Sequence, residues 1–342
     1  MSNLLSESQR KILAIVPHFS GALSFIGSMC IIIGIYRSSE KLSNMKTYDK
    51  LMVLLSLSDL LSSASYFCST WPIPQGTSTI EGGATVYQAY GNKTTCDIQG
   101  FISQYATIIP LYNAMLALNY LLLVKFGVKD DEMKRKYEPF MLIVPFIVAL
   151  SLAVTGLAYD MYGTIGFWCW LKSDETKRWR SYVFLLIPVW CVIVFVTVAM
   201  IMVYLKVRKQ EDRMARYSLP GSQVSRSISK EVATQAIWYL APFYLAWIPT
   251  TFFAAGKVTG ILNKYLSTRD SGEKFIWFLW IVTFVPLQGF LNFLVYLRPR
   301  FLKWYKAKAK EKARRIVSQT NATRSSSVVE RYTTNDEISA AV

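Results

Sequence analysis

Residues Tyr182–Leu205 read YVFLLIPVWCVIVFVTVAMIMVYL, an apolar run without a single formal charge. A helix rises about 1.5 Å per residue and a bilayer core is about 30 Å thick, so a run of this length spans a membrane. Six further stretches meet the same test: Ile12–Tyr36, Leu51–Trp71, Ile98–Val124, Phe140–Tyr159, Val232–Ala255 and Phe275–Leu297. Asp59 is the only formal charge inside any of the seven. The predicted fold class is all-α integral membrane, a seven-transmembrane helix bundle.

Composition agrees. The chain of 342 residues is 52% apolar and 14% aromatic, with a mean hydropathy of +0.27. Its charged share is 18%, against about 25% in soluble globular proteins. The net charge of +16 could point to nucleic acid, but the basic residues flank apolar runs rather than forming a basic domain. The first apolar stretch exceeds the h-region of a secretory signal and reads as a retained span.

Lysine and arginine set the orientation. The leader and the second, fourth and sixth connections hold eleven of the 38 basic residues, and the opposite side holds the other 27. The basic side faces the cytosol, so the N-terminus lies outside and the C-terminus inside. Asn92-Lys93-Thr94 is a glycosylation sequon on the outer side, although such triplets also arise by chance. The expected division is an extracellular leader over 1–11, the seven-span domain over 12–297, an amphipathic juxtamembrane helix over 298–317 and a disordered cytosolic tail over 318–342. Phe301, Trp304 and Tyr305 recur at i, i+3, i+4 among lysines, which suits a helix lying on the inner leaflet. The tail is rich in serine and threonine and poor in apolar residues.

Five cysteines are too few for a disulfide scaffold. Cys30, Cys68 and Cys191 read as small buried hydrophobes. Cys96 and Cys169 fall on the outer side, where disulfides persist. They can bond, pinning the second outer loop across the bundle mouth, or remain thiols. Trp168 and Trp170 would then roof a ligand cavity shared with Gln104, Trp247 and Trp280. The plainer reading of such tryptophans is a membrane-interface belt.

A charge at mid-bilayer costs about 2.5–3.5 kcal/mol on insertion scales, so Asp59 must face the interior and find partners. It lies roughly 12 Å in from the cytosolic end of its span. Ser56, Ser63 and Tyr66 share its stripe. Gln288 and Asn292 on span seven, and Asn113 and Asn119 on span three, fall in the same slab by the same count. With Ser63 they form a candidate polar switch network around Asp59, or a purely structural cluster. Pro242 and Pro249 interrupt span six and Pro286 interrupts span seven, as candidate hinges or static kinks. Ser20, Ser24 and Ser28, with Gly27 alongside, read as ordinary close helix packing.

Several of these stretches resemble the cyclic-AMP-receptor-like family of G-protein-coupled receptors. They are Ser56-Leu57-Ser58-Asp59-Leu60-Leu61, Cys96-Asp97-Ile98-Gln99-Gly100-Phe101, Trp168-Cys169-Trp170-Leu171, residues 241–249 (APFYLAWIP) and residues 286–296 (PLQGFLNFLVY) followed by Arg298-Pro299. The family is distantly similar to the secretin and adhesion receptors. The resemblance covers roughly Ser56 to Arg300, and its span-seven motif is the most specific part. It implies a seven-helix receptor, a Cys96–Cys169 bond and coupling to a heterotrimeric G protein, while leaving the ligand open. Span three ends in Leu123-Val124-Lys125-Phe126 and lacks the Asp-Arg-Tyr triplet of rhodopsin-like receptors.

The expected function is transduction: an extracellular ligand stabilises a state in which the sixth span swings outward at its cytosolic end. Candidate G-protein contacts are Lys125, Lys206, Arg208, Lys209, Lys230 and Arg298, which also fit plain topogenic charge. Serines 218, 222, 225, 227 and 229 and the tail serines and threonines are candidate targets of a receptor kinase and an arrestin-like partner. A retinal protein would need a lysine deep in span seven, and Lys274 sits at its outer edge. A solute transporter or channel is the alternative function, weakened because Asp59 is alone at mid-membrane. An enzyme is not expected, nor any metal or cofactor, since His18 is the chain's one histidine. The expected location is the plasma membrane.

Overall fold

A computed structural model of the chain describes residues 5–38, 45–78, 84–172, 182–217, 241–252 and 271–298, with 238, 255, 301, 305, 308 and 311 as isolated positions. It divides into two units, Met1–Phe293 and Leu294–Val342. Described helices of the first unit are α1 (Glu7–Ser38), α2 (Thr47–Phe67), α3 (Lys93–Tyr105), α4 (Ile108–Tyr120), α5 (Glu138–Ala158), α6 (Ile187–Tyr217) and α7 (Ser271–Phe284). Residues 241–252 are helical too. A last helix, α8 (Gln288–Arg298), follows α7 and leads into the second unit.

Among the described residues, four helical stretches are long and apolar enough to cross a membrane: Glu7–Ser38, Lys93–Phe126, Asp130–Ala158 and Val183–Gln210. The α7–α8 pair makes a fifth if taken as one bent span. The helix α2 has the length, at 21 residues, but five serines and Asp59 dilute its hydropathy. The predicted span Val232–Ala255 is helical wherever it is described. A multi-pass helical membrane protein follows, and the seven-span bundle fits it. The helix α1 begins at Glu7, so the predicted leader already turns helical before residue 12.

Two breaks differ from the expected hinges. Pro286 does break its span: residues 285–287 form a turn, and α7 meets α8 at 58°. Pro249 does not, because the helix 241–252 runs through it. Pro242 stands at the start of that described stretch. The third span carries an unexpected break at Ala106–Thr107, between α3 and α4. Pro110 has no N–H to offer the Ala106 carbonyl, which accounts for it.

The connection after α5 folds as a hairpin of β1 (Tyr162–Thr164) and β2 (Cys169–Leu171), with Tyr162 opposite Leu171 and Thr164 opposite Cys169. It dips into the bundle. Met161, Tyr162, Phe167, Trp168, Trp170 and Leu171 all join the main apolar core. Two glycines make room: a Cβ on Gly100 would lie 2.7 Å from the Tyr162 ring, and one on Gly156 would lie 2.4 Å from its hydroxyl. The Tyr162 hydroxyl then donates to the Ala153 carbonyl at 2.7 Å. In the second unit, Phe301, Tyr305, Lys308 and Glu311 are helical and exposed. Trp304 and the predicted disordered tail lie outside the described residues.

Candidate functional site

Pro286 is the starting point. The break it causes leaves the first N–H groups of α8 without intrahelical partners. The N–H of Gly289 finds one on another helix, donating to Ser24 Oγ of α1 at 2.9 Å. That bond requires contact distance, and Gly289 permits it: a Cβ there would lie 2.3 Å from Ser28 Oγ and 3.1 Å from the Asp59 Cβ. Gly27 does the same from the other side, with 2.9 Å to the Phe290 Cα. The serine stripe of α1 therefore packs on the opening turn of α8.

Asp59 sits beneath this contact, 1% exposed. Asn292, one turn beyond Gln288 on α8, donates from Nδ2 to Asp59 Oδ2 at 2.9 Å. Gln288 turns elsewhere and accepts from the Trp247 indole at 3.0 Å. So α8 is tied to α2 by Asn292 and to the sixth span by Gln288. Ser28 Oγ, Ser56 Oγ and Gln288 Nε2 are buried without a hydrogen-bond partner among the described residues.

The other predicted members of the network are not hydrogen-bonded to Asp59. Asn113 Nδ2 donates to the Ile109 carbonyl of its own helix at 3.1 Å. Asn119 is buried with an unpartnered Oδ1. Ser63 is buried where α2 meets α1, its carbonyl 3.0 Å from the place a Gly21 Cβ would take.

At the hairpin end Cys96 and Cys169 form a disulfide, with Cα atoms 5.3 Å apart. The sequence reading missed their companion, Gln99. Buried one turn along α3 from Cys96, it donates to the carbonyls of Ser65 at 3.1 Å and Ser69 at 2.9 Å, and accepts from the Cys169 N–H at 2.8 Å. The one sequence signal was its place at i+3 from Cys96.

Of the five residues expected at a ligand cavity, Gln104, Trp168, Trp170 and Trp247 are buried and Trp280 is partly exposed. Gln104 is fully buried, accepting from the Trp170 indole at 2.9 Å and donating to the Phe184 carbonyl at 3.0 Å. Trp168 is also fully buried, stacked edge-on against Tyr66, its indole N–H unpartnered among the described residues. Trp247 belongs to the Gln288 contact. Trp280 is 38% exposed and donates to the Leu245 carbonyl. Local competition explains Gln104: both ends of its amide are engaged, the nitrogen by the Phe184 carbonyl and the oxygen by the Trp170 indole.

Asn92 caps α3, its Oδ1 accepting from the Thr95 N–H at 3.0 Å, and it is exposed. Nearby, Asp160 is bound by Lys93 at 2.6 Å and Lys172 at 2.8 Å. Hydrogen bonds from Lys172 and Lys93 hold its carboxyl down to about 2. His18 donates from Nδ1 to the Phe67 carbonyl.

On the opposite end, Glu138 opens α5 nearly buried, accepting from Thr47 at 2.7 Å and Lys50 at 2.6 Å. Of the candidate G-protein contacts, Lys125 closes the third span in a π-turn, Leu121–Phe126. Lys206, Arg208 and Lys209 lie on α6, and Arg298 ends α8. Lys230 and the loop and tail serines lie outside the described residues.

No protein-family model matches the chain. It is 24% identical over 295 residues to cyclic AMP receptor-like protein A of Dictyostelium discoideum, covering 85% of this chain and 65% of the relative. It is 24% identical over 192 residues to ascaroside receptor GPR2 of Arthrobotrys oligospora, covering 55% and 43%. Ascaroside receptor GPR3 of the same organism is 26% identical over 233 residues, covering 67% and 54%. The chain thus spans about two fifths to two thirds of the length of the relatives it matches. Squid rhodopsin shares the fold, with a TM-score of 0.58 over 86% of this chain and 82% of that one, at 16% identity. Two of these sequence relatives are named as receptors and the third as receptor-like, and with the shared fold they support for this chain the cyclic-AMP-receptor-like family of G-protein-coupled receptors.

Proposed function

We propose that the chain is a plasma-membrane receptor that binds an extracellular ligand and activates a heterotrimeric G protein through outward motion of the sixth span. The observation that carries this reading is the opening turn of α8. There Asn292 holds Asp59 of α2 and Gln288 holds Trp247 of the sixth span, directly after the bend at Pro286. A repacking that exchanges these partners would release the sixth span from the seventh. A ligand shifts that equilibrium only by its differential affinity for the two packings.

In this reading residues 1–11 and the hairpin face outside, with Asn92 glycosylated, and the C-terminus is cytosolic. Residues 298–317 form an amphipathic helix on the inner leaflet, and residues 318–342 a tail open to a receptor kinase and an arrestin-like protein. Asp59, Ser63, Asn113, Asn119, Gln288 and Asn292 serve as the polar switch, and Pro286 is its foremost hinge. The ligand seats beneath the hairpin, close to Trp168 and Tyr66. The test is nucleotide exchange on a panel of Gα subunits with purified receptor, scanned against extracellular ligands. Exchange that rises with a ligand supports the reading. Solute flux in liposomes without any exchange refutes it.

A further inference from the structure

Pro249 has no N–H, so the Leu245 carbonyl one turn earlier in the helix 241–252 lacks its intrahelical donor. Inside a bilayer no water takes that role. The donor comes from the seventh span, where Trp280 Nε1 donates to the Leu245 oxygen at 3.1 Å. Phe284, one turn further along α7, steadies the indole, with ring centroids 4.5 Å apart at 35°. With this bond in place the helix runs unbroken through Pro249.

The same arrangement occurs at two other prolines. Pro286 offers no N–H to the Val282 carbonyl, which accepts from Ser20 Oγ of α1 at 3.3 Å. Pro188 offers none to the Phe184 carbonyl, which accepts from Gln104 Nε2 of α3 at 3.0 Å. Both of those donors are buried and keep further partners, Ser20 at the Val16 carbonyl and Gln104 at the Trp170 indole. Trp280 has a single N–H, on an exposed side chain. A second indole crosses the same seam in the opposite direction, from Trp247 of the sixth span to Gln288 of α8. That bond joins two side chains, which can turn to new partners. The Leu245 carbonyl is backbone and moves only with its helix.

We infer that Trp280 is the positioning residue that holds the sixth span in its resting place, by supplying the donor that Pro249 withholds. The inference rests on the receptor reading above, in which the sixth span swings at its cytosolic end. The span runs from the cytosolic side outward, so Leu245 lies nearer the swinging end than Pro249. Outward motion draws its carbonyl away from Trp280 and strands both groups in an apolar medium. The bond therefore weighs against activation in the absence of ligand.

The experiment uses full-length receptor in nanodiscs and follows ligand-independent nucleotide exchange on the Gα subunit it activates best. Trp280→Phe keeps a ring beside Phe284 but removes the N–H, and it raises that exchange about two- to tenfold, the shift expected for one hydrogen bond. Benzothienylalanine at 280 puts sulfur in place of the indole N–H at nearly the same shape, so it gives the same rise without disturbing the packing. Pro249→Ala returns a backbone N–H to the Leu245 carbonyl. In that background Trp280→Phe changes exchange by less than about twofold, because the two substitutions act on one acceptor. No rise with either substitution at 280 overturns the inference. So does an equal rise with and without Pro249, since Trp280 then acts through packing alone. Either result leaves the receptor reading intact. No exchange by wild type on any Gα removes the receptor reading and this inference with it.

Discussion

Gly289 of α8 donates its backbone N–H to the hydroxyl of Ser24 on α1, 2.9 Å away. A broken helix has lent one of its orphan donors to a neighbour. The bond exists because Pro286 ends α7 and because residue 289 has no side chain to hold α1 off.

Gly289→Ala is therefore expected to destabilise the protein by about 1–3 kcal/mol, the range for overpacking a filled interior. The added methyl would lie 2.3 Å from Ser28 Oγ. Combining it with Ser28→Ala should recover part of the loss, because the closest clashing atom is gone. Thermal unfolding of detergent-solubilised protein measures both, and an unchanged Gly289→Ala would contradict the contact.

Asp59→Ala leaves the buried amide of Asn292 without its acceptor, at a cost of about 1–3 kcal/mol. The reciprocal exchange, Asp59→Asn with Asn292→Asp, keeps one carboxylate and one amide in contact. It should recover more stability than the two single changes predict when added. Unfolding temperatures of the four proteins form the cycle, and strict additivity would show that the pair does not interact.

Asn92 combines two roles that substitution separates. Asn92→Asp keeps a capping oxygen for the Thr95 N–H but ends the sequon, so it should shift gel mobility and leave thermal stability nearly unchanged. Asn92→Ala removes both and should cost about 1 kcal/mol more. Equal melting of the two variants would argue against the cap.

Asp160 gives a pH signature. Its folded pKa of about 2 lies below the ordinary 3.8, so it adds stability that is present above about pH 4 and lost as pH falls towards 2. The side chain is 65% exposed, which limits the effect to no more than about 1 kcal/mol and makes it salt-sensitive. Asp160→Asn should melt lower than wild type at pH 6 and equally at pH 2, in low salt.

Depth counting along the spans puts Asp59 in one slab with Asn113, Asn119, Gln288 and Asn292, and of these Asn292 is hydrogen-bonded to it. It failed for Asn113, whose side chain had a carbonyl one turn back on its own helix, a competition invisible to counting. Residue type alone groups Trp247 with Trp168 and Trp170, while its indole donates to Gln288, one turn from Asn292. The serines of α1 were read as packing, and they are. What the sequence could not disclose is that they pack on the one glycine lying over Asp59, since that depends on a bend set by Pro286.

The hairpin after α5 has a practical consequence for anyone transplanting this loop between related chains. Its residues are foundations of the interior, with Tyr162 seated against Gly100 and Gly156 and Trp168 shut away from water. A loop borrowed from a relative arrives without those seats. Chimaeras that move residues 161–171 alone should express poorly, and exchange becomes workable only when the glycines and Gln99 travel with the loop.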